Sequence, residues 1–198
     1  MKINKNIILL IILFFLAISY SFKEVFIKKN LVLNKINQSD KVAYFASGCF
    51  WCVEAIYESL IGVEESISGY SGGHTKNPTY ESSNTGKTGH AEAVEIIYNP
   101  DIISFELLVD VYFGSQNIGQ VNGQGNDRGS QYRSIIFYQN EKEKNIIADK
   151  IKALYKENPD RKVAAEVMPF QKFWIAEKYH QNYERLHPNN SFVPRIYI

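Results

Sequence analysis

The residues best suited to chemistry in this sequence are its only two cysteines, Cys49 and Cys52. A disulfide across so short a loop removes little entropy from the unfolded chain, so a purely structural disulfide would add little stability. Cysteines at this spacing instead carry out redox chemistry or bind metal ions. The pair is therefore a candidate reactive site.

The position of Cys49 favours a nucleophile. Gly48 permits a sharp turn between a predicted strand and a predicted helix, so Cys49 falls at the helix N-terminus. Unpaired backbone N–H groups and the helix dipole favour a thiolate there and predict a lowered pKa for the Cys49 thiol. Cys52 follows one helical turn later and can face Cys49 as a partner thiol.

Glu92 adds a carboxyl group to the candidate site. In a strand over 90–98, Glu92 shares a face with Val94 and Ile96. A carboxyl group with apolar neighbours tends to keep its proton near neutral pH, which suits a general acid. Alternation is equally consistent with a solvated Glu92 at the end of the strand.

The elements that must position these residues follow from the pattern of apolar residues. We expect strands at 42–46, 63–70, 90–98, 134–138 and 162–167, and helices at 50–61, after the cap residue Ser104, and at 141–155. The positions expected to face the core on the first two helices are Val53, Ile56, Tyr57, Leu60, Ile61, Leu107, Leu108, Val111 and Tyr112. Elements mixed in this order predict a single two-layer α/β (α+β) domain.

Polar and irregular segments separate these elements. The loops at 71–89 and 114–131 are longer than ordinary connections, which makes them candidates for function. The tail beyond Pro169 is expected to be mostly irregular, with a turn of helix around 176–183. The composition is that of a globular protein, and the net charge of +1 argues against a nucleic-acid partner.

The N-terminal 40 residues form a separate unit in the sequence. Lysines precede an uncharged apolar run at 7–18 that is shorter than the roughly 20 residues a spanning helix needs. This pattern is typical of an export signal and predicts a protein of the bacterial periplasm or cell envelope. An uncleaved membrane anchor through 7–22 and an internal core segment are the alternatives. The expected division is 1–22 signal peptide or signal anchor, 23–40 polar linker and 41–198 folded domain.

Five motifs between about Val42 and Pro188 together resemble those of the A-type peptide methionine sulfoxide reductases, in the same order. They are Gly48-Cys49-Phe50-Trp51, Gly69-Tyr70-Ser71-Gly72-Gly73, Asn77-Pro78-Thr79-Tyr80, Thr88-Gly89-His90-Ala91-Glu92, and the run from Gly125 to Ser134. The resemblance implies the family fold, a single domain with a mixed sheet, helices and long irregular loops. It also implies a monomer that needs no bound cofactor or metal.

The resemblance further implies the reaction. Members of the family reduce the S-epimer of methionine sulfoxide, free or in a peptide. The thiolate corresponding to Cys49 attacks the sulfoxide sulfur, and the carboxyl group corresponding to Glu92 protonates the departing oxygen. Hydroxyl groups corresponding to Tyr80 and Tyr132 assist. Cys49 then becomes a sulfenic acid, which condenses readily with a second thiol.

The resemblance also assigns residues that bind the substrate. Phe50 and Trp51 match the aromatic pair that holds the methyl group of the sulfoxide. Asp127 matches the residue whose hydrogen bonds organise the polar side of the pocket. These three residues and the two tyrosines are the predicted substrate-binding set.

Regeneration depends on features particular to this sequence. Many family members have Gly at the position of Cys52 and keep their resolving cysteines near the C-terminus, whereas 185–198 contains no cysteine here. An internal disulfide, if it forms, must therefore join Cys49 to Cys52. Members with this arrangement are regenerated by thioredoxin-like reductants. Direct reduction of the sulfenic acid by an outside thiol is the alternative.

Two departures from the family pattern lie in the loop at 114–131. Gln116-Asn117-Ile118 replaces the usual His-Asp-Pro, and Asn122-Gly123-Gln124-Gly125 lacks the usual Arg. Neither change affects the predicted catalytic set. Both put the shape of the loop in question, and with it the peptide preference.

Two other classes of protein fit part of the pattern. A thioredoxin-like disulfide exchanger also has a strand, a C-x-x-C pair and a helix, but that class gives Glu92 no role. A metal-binding module would need Cys49 and Cys52 with two more ligands from His74, His90, His180 and His187, at spacings that match no standard zinc pattern. We interpret His180, near a helix end, as a structural hydrogen-bonding residue rather than a catalytic base.

Overall fold

The computed structural model describes residues 39–189. The strands are β1 Lys41–Ala46, β2 Val63–Ser71, β3 Ala91–Tyr98, β4 Gly123–Gln124, β5 Asp127–Arg128, β6 Ile135–Tyr138, β7 Glu166–Pro169 and β8 Phe173–Ile175. The α-helices are α1 Phe50–Glu58, α2 Tyr80–Asn84, α3 Phe105–Gly114, α4 Glu141–Glu157 and α5 Tyr183–Leu186, and two 3-10 helices span Ser130–Tyr132 and Lys178–His180.

Six strands form one mixed sheet in the order β7-β6-β1-β3-β2-β8. Only the β6–β7 pair is parallel among these strands, and the other neighbours are antiparallel. β3 lies between β1 and β2, and most of its residues are buried, as expected for a strand with apolar layers on both faces. This architecture confirms the predicted two-layer mixed α/β fold.

The two faces of the sheet bury different side chains. One face packs against α1, α3 and α4, which contribute rings and aliphatic chains such as Tyr57, Tyr112 and Ile147 to the larger core. The other face forms a smaller cluster around Phe137, which is covered by the turn that contains Phe170. Two layers of helix and sheet therefore enclose the main core, and the first residues of α1 lie at its edge.

The first helix is shorter than predicted. α1 ends at Glu58, where the Ser59 hydroxyl donates to the carbonyl of Ile56 at 2.6 Å and satisfies one of the terminal carbonyl groups. Ile61 therefore lies in a turn and is 86% exposed, so its assignment to the buried stripe was wrong. Gly62 does occupy the turn, with a φ of +98°.

The second predicted helix has a different buried face. The Ser104 hydroxyl caps α3 by accepting from the Leu107 N–H at 3.1 Å, as predicted. Leu107 itself is 48% exposed, whereas Phe105, Leu108, Val109 and Tyr112 are buried. Their spacing is the helical repeat, so the stripe is shifted relative to the predicted one.

The segments predicted to be irregular contain short elements. The loop at 71–89 holds α2, whose first turn Thr79 and Ser82 close with a capping box. The loop at 114–131 holds the β4–β5 pair. The last large strand begins at Glu166 instead of at residue 162, and the tail adds β8 at the opposite edge of the sheet.

The C-terminal part of the described chain docks on β2 and α1. Trp174 in β8 pairs with Tyr70 in β2. The Gln181 side chain accepts from the Ser68 N–H and donates to the Ser68 carbonyl, both at 3.0 Å. The Asn182 N–H donates to Oε2 of the buried Glu54 at 2.9 Å. These bonds hold the segment from Phe173 to Leu186 beside the start of α1.

The predicted signal or anchor at 1–22 and nearly all of the linker at 23–40 lie outside the described residues. Within 39–189, no helix combines the length and apolar character that crossing a membrane requires.

Candidate active site

The turn between β1 and α1 places Cys49 as the N-cap residue of α1. Gly48 has a φ of +78°, and a Cβ added there would lie 2.6 Å from the Cβ of Gln124. Glycine is therefore required both by the backbone conformation and by the close approach of the loop at 114–131. Cys49 is half-buried at the base of this loop.

The two cysteine side chains contact each other and are free thiols. Their hydrogen bond, together with burial, raises the pKa of the Cys49 thiol above its ordinary value, although the backbone N–H groups of Cys52 and Trp51 act in the opposite direction. The predicted lowering of this pKa was thus wrong for the free protein. Burial and the partner thiol outweigh the helix N-terminus, so the protonated thiol of Cys49 is favoured in the free protein.

Glu92 is buried beside Cys49, with 2% of its surface exposed. Its Oε2 accepts from the Phe50 N–H at 3.0 Å, which joins the carboxyl group directly to the first turn of α1. Burial and the neighbouring Cys49 raise the pKa of Glu92 well above its ordinary value. The solvated alternative is excluded, and Glu92 holds a proton that it can donate.

The two predicted tyrosines and Asp127 lie around this acid. Tyr132, in the first 3-10 helix, has its pKa raised by burial and by the nearby Glu92, Tyr80, Asp127 and Cys49. Residues from β1–α1, α2, β3, β5 and this helix therefore converge at one place. The structure thus brings together the predicted catalytic residues and three members of the predicted substrate-binding set.

A cleft of about 500 Å³ opens beside the cysteines. Cys49, Cys52 and Asp127 contribute to its wall, and residues 114–125 form the opposite side. The cleft gives both sulfur atoms a route to molecules outside. The cleft meets the predicted site residues only at Cys49, Cys52 and Asp127, since its wall does not include Glu92, Tyr80 or Tyr132.

The residues of the 114–131 loop that differ from the family pattern organise this wall of the cleft. The Gln124 side chain accepts from the Asn117 N–H at 3.0 Å and donates to Gln116 Oε1 at 3.0 Å. The Ser134 hydroxyl also donates to Gln116 Oε1, at 2.7 Å. The residues that replace the usual motif therefore fix the loop by a network of amide hydrogen bonds.

The aromatic pair next to Cys49 is more enclosed than a simple substrate pocket would be. Phe50 is 1% exposed, and its ring lies 4.9 Å from that of His180. Trp51 stacks on Tyr183 at 3.7 Å, and its Nε1 donates to His180 Nδ1 at 3.0 Å. The tail thus covers one face of Trp51. The buried His180 has the structural role that its sequence position indicated.

Two carboxylates that the sequence does not mark also hold the site. Glu177 accepts from the Tyr80 N–H and from the Tyr70 hydroxyl, both at 2.9 Å. Glu54 is 1% exposed and binds the Asn182 N–H, and burial raises the pKa of Glu54 to about 7. No local pattern marks either residue, because their partners are about 100 or more residues away in sequence.

Among residues 39–189, no three His, Cys, Asp or Glu side chains form a group that could hold a metal ion. Of the side chains gathered at the site, the two thiols are the groups that change oxidation state most readily. A buried acid next to them can deliver a proton. Fold and site together define a thiol-based oxidoreductase.

Comparison with known proteins gives the family. Residues 41–196 match the family model for peptide methionine sulfoxide reductase. The chain is 46% identical to peptide methionine sulfoxide reductase MsrA of Pasteurella multocida over 150 residues, which are 76% of this chain and 86% of the relative. It is 44% identical to MsrA of Sulfolobus acidocaldarius, over 79% of this chain and 88% of the relative.

Solved structures agree. Methionine sulfoxide reductase A of Corynebacterium diphtheriae is 29% identical, with a TM-score of 0.71 over 81% of each chain. Reduced Mxr1 of Saccharomyces cerevisiae is 30% identical, with a TM-score of 0.71 over 81% of this chain and 92% of that one. The chain belongs to the peptide methionine sulfoxide reductase family. It is an oxidoreductase of the A type, which reduces the S-epimer of methionine sulfoxide to methionine.

Proposed function

We propose that Cys49 is the nucleophile of this reaction and that Glu92 is its general acid. The observation that carries the proposal is the hydrogen bond between Glu92 and the Phe50 N–H, because it fixes a protonated carboxyl group next to the Cys49 sulfur. Tyr80 and Tyr132 lie on the same side and can donate hydrogen bonds to the sulfoxide oxygen.

The proposed step is balanced without any other reactant. The Cys49 sulfur attacks the sulfoxide sulfur and Glu92 protonates the oxygen, which is transferred to Cys49 as methionine leaves. The sulfoxide sulfur gains two electrons, and the Cys49 sulfur loses two and becomes a sulfenic acid. The proton lost by the Cys49 thiol replaces the one that Glu92 delivers.

We propose that Cys52 then resolves the sulfenic acid. The contact between the two thiols means that little rearrangement is needed for the Cys49–Cys52 disulfide. Both cysteines are half-buried and line the open cleft, so a thioredoxin-like protein can reach a disulfide formed between them. Direct attack of an outside thiol on the sulfenic acid is the competing route, and it would make Cys52 dispensable.

The test separates the two routes with Cys52→Ser. This variant should release one methionine per protein and then stop when thioredoxin is the reductant, because no internal disulfide can form. Methionine release per protein, and steady turnover with thioredoxin and with dithiothreitol, are the measurements. Steady turnover of Cys52→Ser with thioredoxin at the wild-type rate would establish resolution by an outside thiol.

We also propose that the protein is exported, because lysines followed by a short apolar run begin the sequence. Fusing residues 1–40 to alkaline phosphatase, which is active only after export, should give activity in bacterial cells. Replacing Leu9 and Leu10 in the apolar run by Lys is the matched control and should abolish that activity. An inactive wild-type fusion that is produced in normal amounts contradicts export.

A further inference from the structure

Cys52 contacts a carboxyl group that the mechanism above does not use. The Cys52 thiol donates a hydrogen bond to Glu184 Oε1, at a distance of 3.9 Å between sulfur and oxygen. The two residues are 132 positions apart in sequence, and both are half-buried. Catalytic hydrogen bonds are often long before the reacting complex forms, so this contact is close enough for proton transfer after a small adjustment.

The position of Glu184 is fixed by its neighbours in the tail. The Asn182 N–H is bound by the buried Glu54, and the Tyr183 ring stacks on Trp51 with an interplanar angle of 8°. Both partners lie in α1, as does Cys52. Glu184 is therefore held against Cys52 by anchors on the same helix, and the contact is not that of a loose surface side chain.

The two thiols consequently lie between two carboxyl groups with different surroundings. Glu92 is almost fully buried on the Cys49 side, and its proton is retained. Glu184 lies on the Cys52 side and is only half-buried. Burial raises the pKa of its carboxyl group, and the hydrogen bond from Cys52 acts in the opposite direction. Groups with such contrasting environments can serve as acid and base in one reaction.

We propose that Glu184 is the general base of the resolving step, which takes the proton of Cys52 as this thiol attacks the sulfenic acid of Cys49. The proposal rests on the proposed function of Cys52. The S–S bond forms as the S–O bond of the sulfenic acid breaks. The leaving hydroxide takes a proton from Glu92 and departs as water; afterwards Glu184 releases its proton to solvent and Glu92 takes one up, so the net products are the disulfide and water.

The need for a base follows from thiol chemistry. The nucleophile in disulfide formation is the thiolate, whereas an unperturbed thiol with a pKa of about 8.5 is mostly protonated at pH 7. A carboxylate in hydrogen-bond contact removes the proton as the S–S bond forms, so the reaction does not wait for the small thiolate fraction.

The experiment follows methionine release and formation of the Cys49–Cys52 disulfide in one sample. Fully reduced protein is mixed with one equivalent of a methionine sulfoxide peptide and quenched with acid, and methionine and free thiols are counted at each time. Methionine release consumes the Cys49 thiol and disulfide formation consumes the Cys52 thiol, so Glu184→Gln should slow the loss of the second thiol at pH 7 by about tenfold to a hundredfold, since a general base typically contributes at least that much. The formation of methionine in the same samples serves as the reference step.

The pH dependence distinguishes a base from a purely structural contact. In Glu184→Gln, the rate of disulfide formation should climb with pH as solvent base replaces the missing carboxylate, and it should meet the wild-type rate at high pH. Within residues 39–189, the group that hydrogen-bonds with the Glu184 carboxylate is the Cys52 thiol, while the neighbouring Arg185 interacts with Glu58. Glu58→Gln removes a negative charge from the same helix without touching Cys52, and it should form the disulfide at the wild-type rate.

Three results would overturn the proposed role of Glu184. An equal or faster disulfide rate in Glu184→Gln overturns the proposal and leaves Cys52 as the resolving residue. Equal slowing of methionine release and disulfide formation also overturns it, because it shows general damage to the site. If wild-type protein releases methionine but forms no Cys49–Cys52 disulfide, the proposed function of Cys52 fails, and the role of Glu184 fails with it.

Discussion

Cys49→Ser should reduce methionine formation by at least about 10⁴-fold, because a serine hydroxyl is a poor nucleophile and has no oxidation state corresponding to a sulfenic acid. No other side chain of the site can take over, since Cys52 is further from Glu92 along α1 and is the partner thiol in the proposed cycle. The measurement is methionine formed from each separate sulfoxide epimer with dithiothreitol as reductant. Wild-type protein should act on the S-epimer alone.

The stability of Cys49→Ser provides its control. Cys49 is the N-cap of α1 but makes no side-chain capping hydrogen bond, whereas serine is among the preferred N-cap residues. The variant should therefore unfold at the same or a higher urea concentration than the wild type. Substantial turnover by a folded Cys49→Ser protein would remove Cys49 from the mechanism.

Glu92→Gln should lower the rate of methionine release in a single turnover by about 10² to 10⁴-fold, the usual contribution of a general acid. Glutamine retains an oxygen that can accept from the Phe50 N–H, so the start of α1 should keep its structure. Glu95→Gln makes the same chemical change on β3 three residues away, on the opposite face of the strand, and should have the wild-type rate. A fast Glu92→Gln variant would mean that the oxygen is protonated by another group.

The same substitution has an effect on stability with a defined sign. The pKa of Glu92 is raised in the folded protein, so the folded state keeps a proton that the unfolded state loses above its ordinary pKa. The free energy of unfolding of the wild type therefore falls as pH rises from the unfolded-state pKa towards the folded-state pKa. Glu92→Gln lacks this loss, so its stability relative to wild type should grow as the pH rises above the ordinary pKa of a glutamate carboxyl group. A constant difference in urea unfolding would contradict the raised pKa.

Local patterns in the sequence were enough for the fold class and for the centre of the site. The mixed two-layer fold was predicted correctly because strand alternation and helical repeats are strong around Phe45, Tyr57 and Ile96. The glycine before Cys49 marks a reactive thiol at a helix start, whereas alternation along the strand left the burial of Glu92 undecided, and the structure shows it to be buried. The family motifs then identified the tyrosines and Asp127 as neighbours of that pair.

What could not be predicted depends on contacts between distant segments. The pKa of Cys49 is decided by burial and by the orientation of Cys52, and neither can be read from a position at a helix start. Leu107 was expected in the core but is exposed, and Val109 is buried, because the rotation of α3 is set by the sheet beneath it. Glu177 and Glu184 lie in the tail beyond Pro169, whose sequence predicts mostly irregular structure. Their partners lie in β2, α2 and α1, so no local pattern reveals these contacts.

The docking of the C-terminal segment on β2 and α1 has a consequence for when the enzyme becomes competent during its own synthesis. Cys49 and Glu92 leave the ribosome well before Glu177, His180 and Asn182, whose bonds span roughly 100 residues or more of chain. Contacts of such high sequence separation form slowly and late. A nascent chain therefore carries its reactive thiol through the synthesis of more than 100 further residues without the packing that encloses it, and the finished site appears only after Asn182 has emerged.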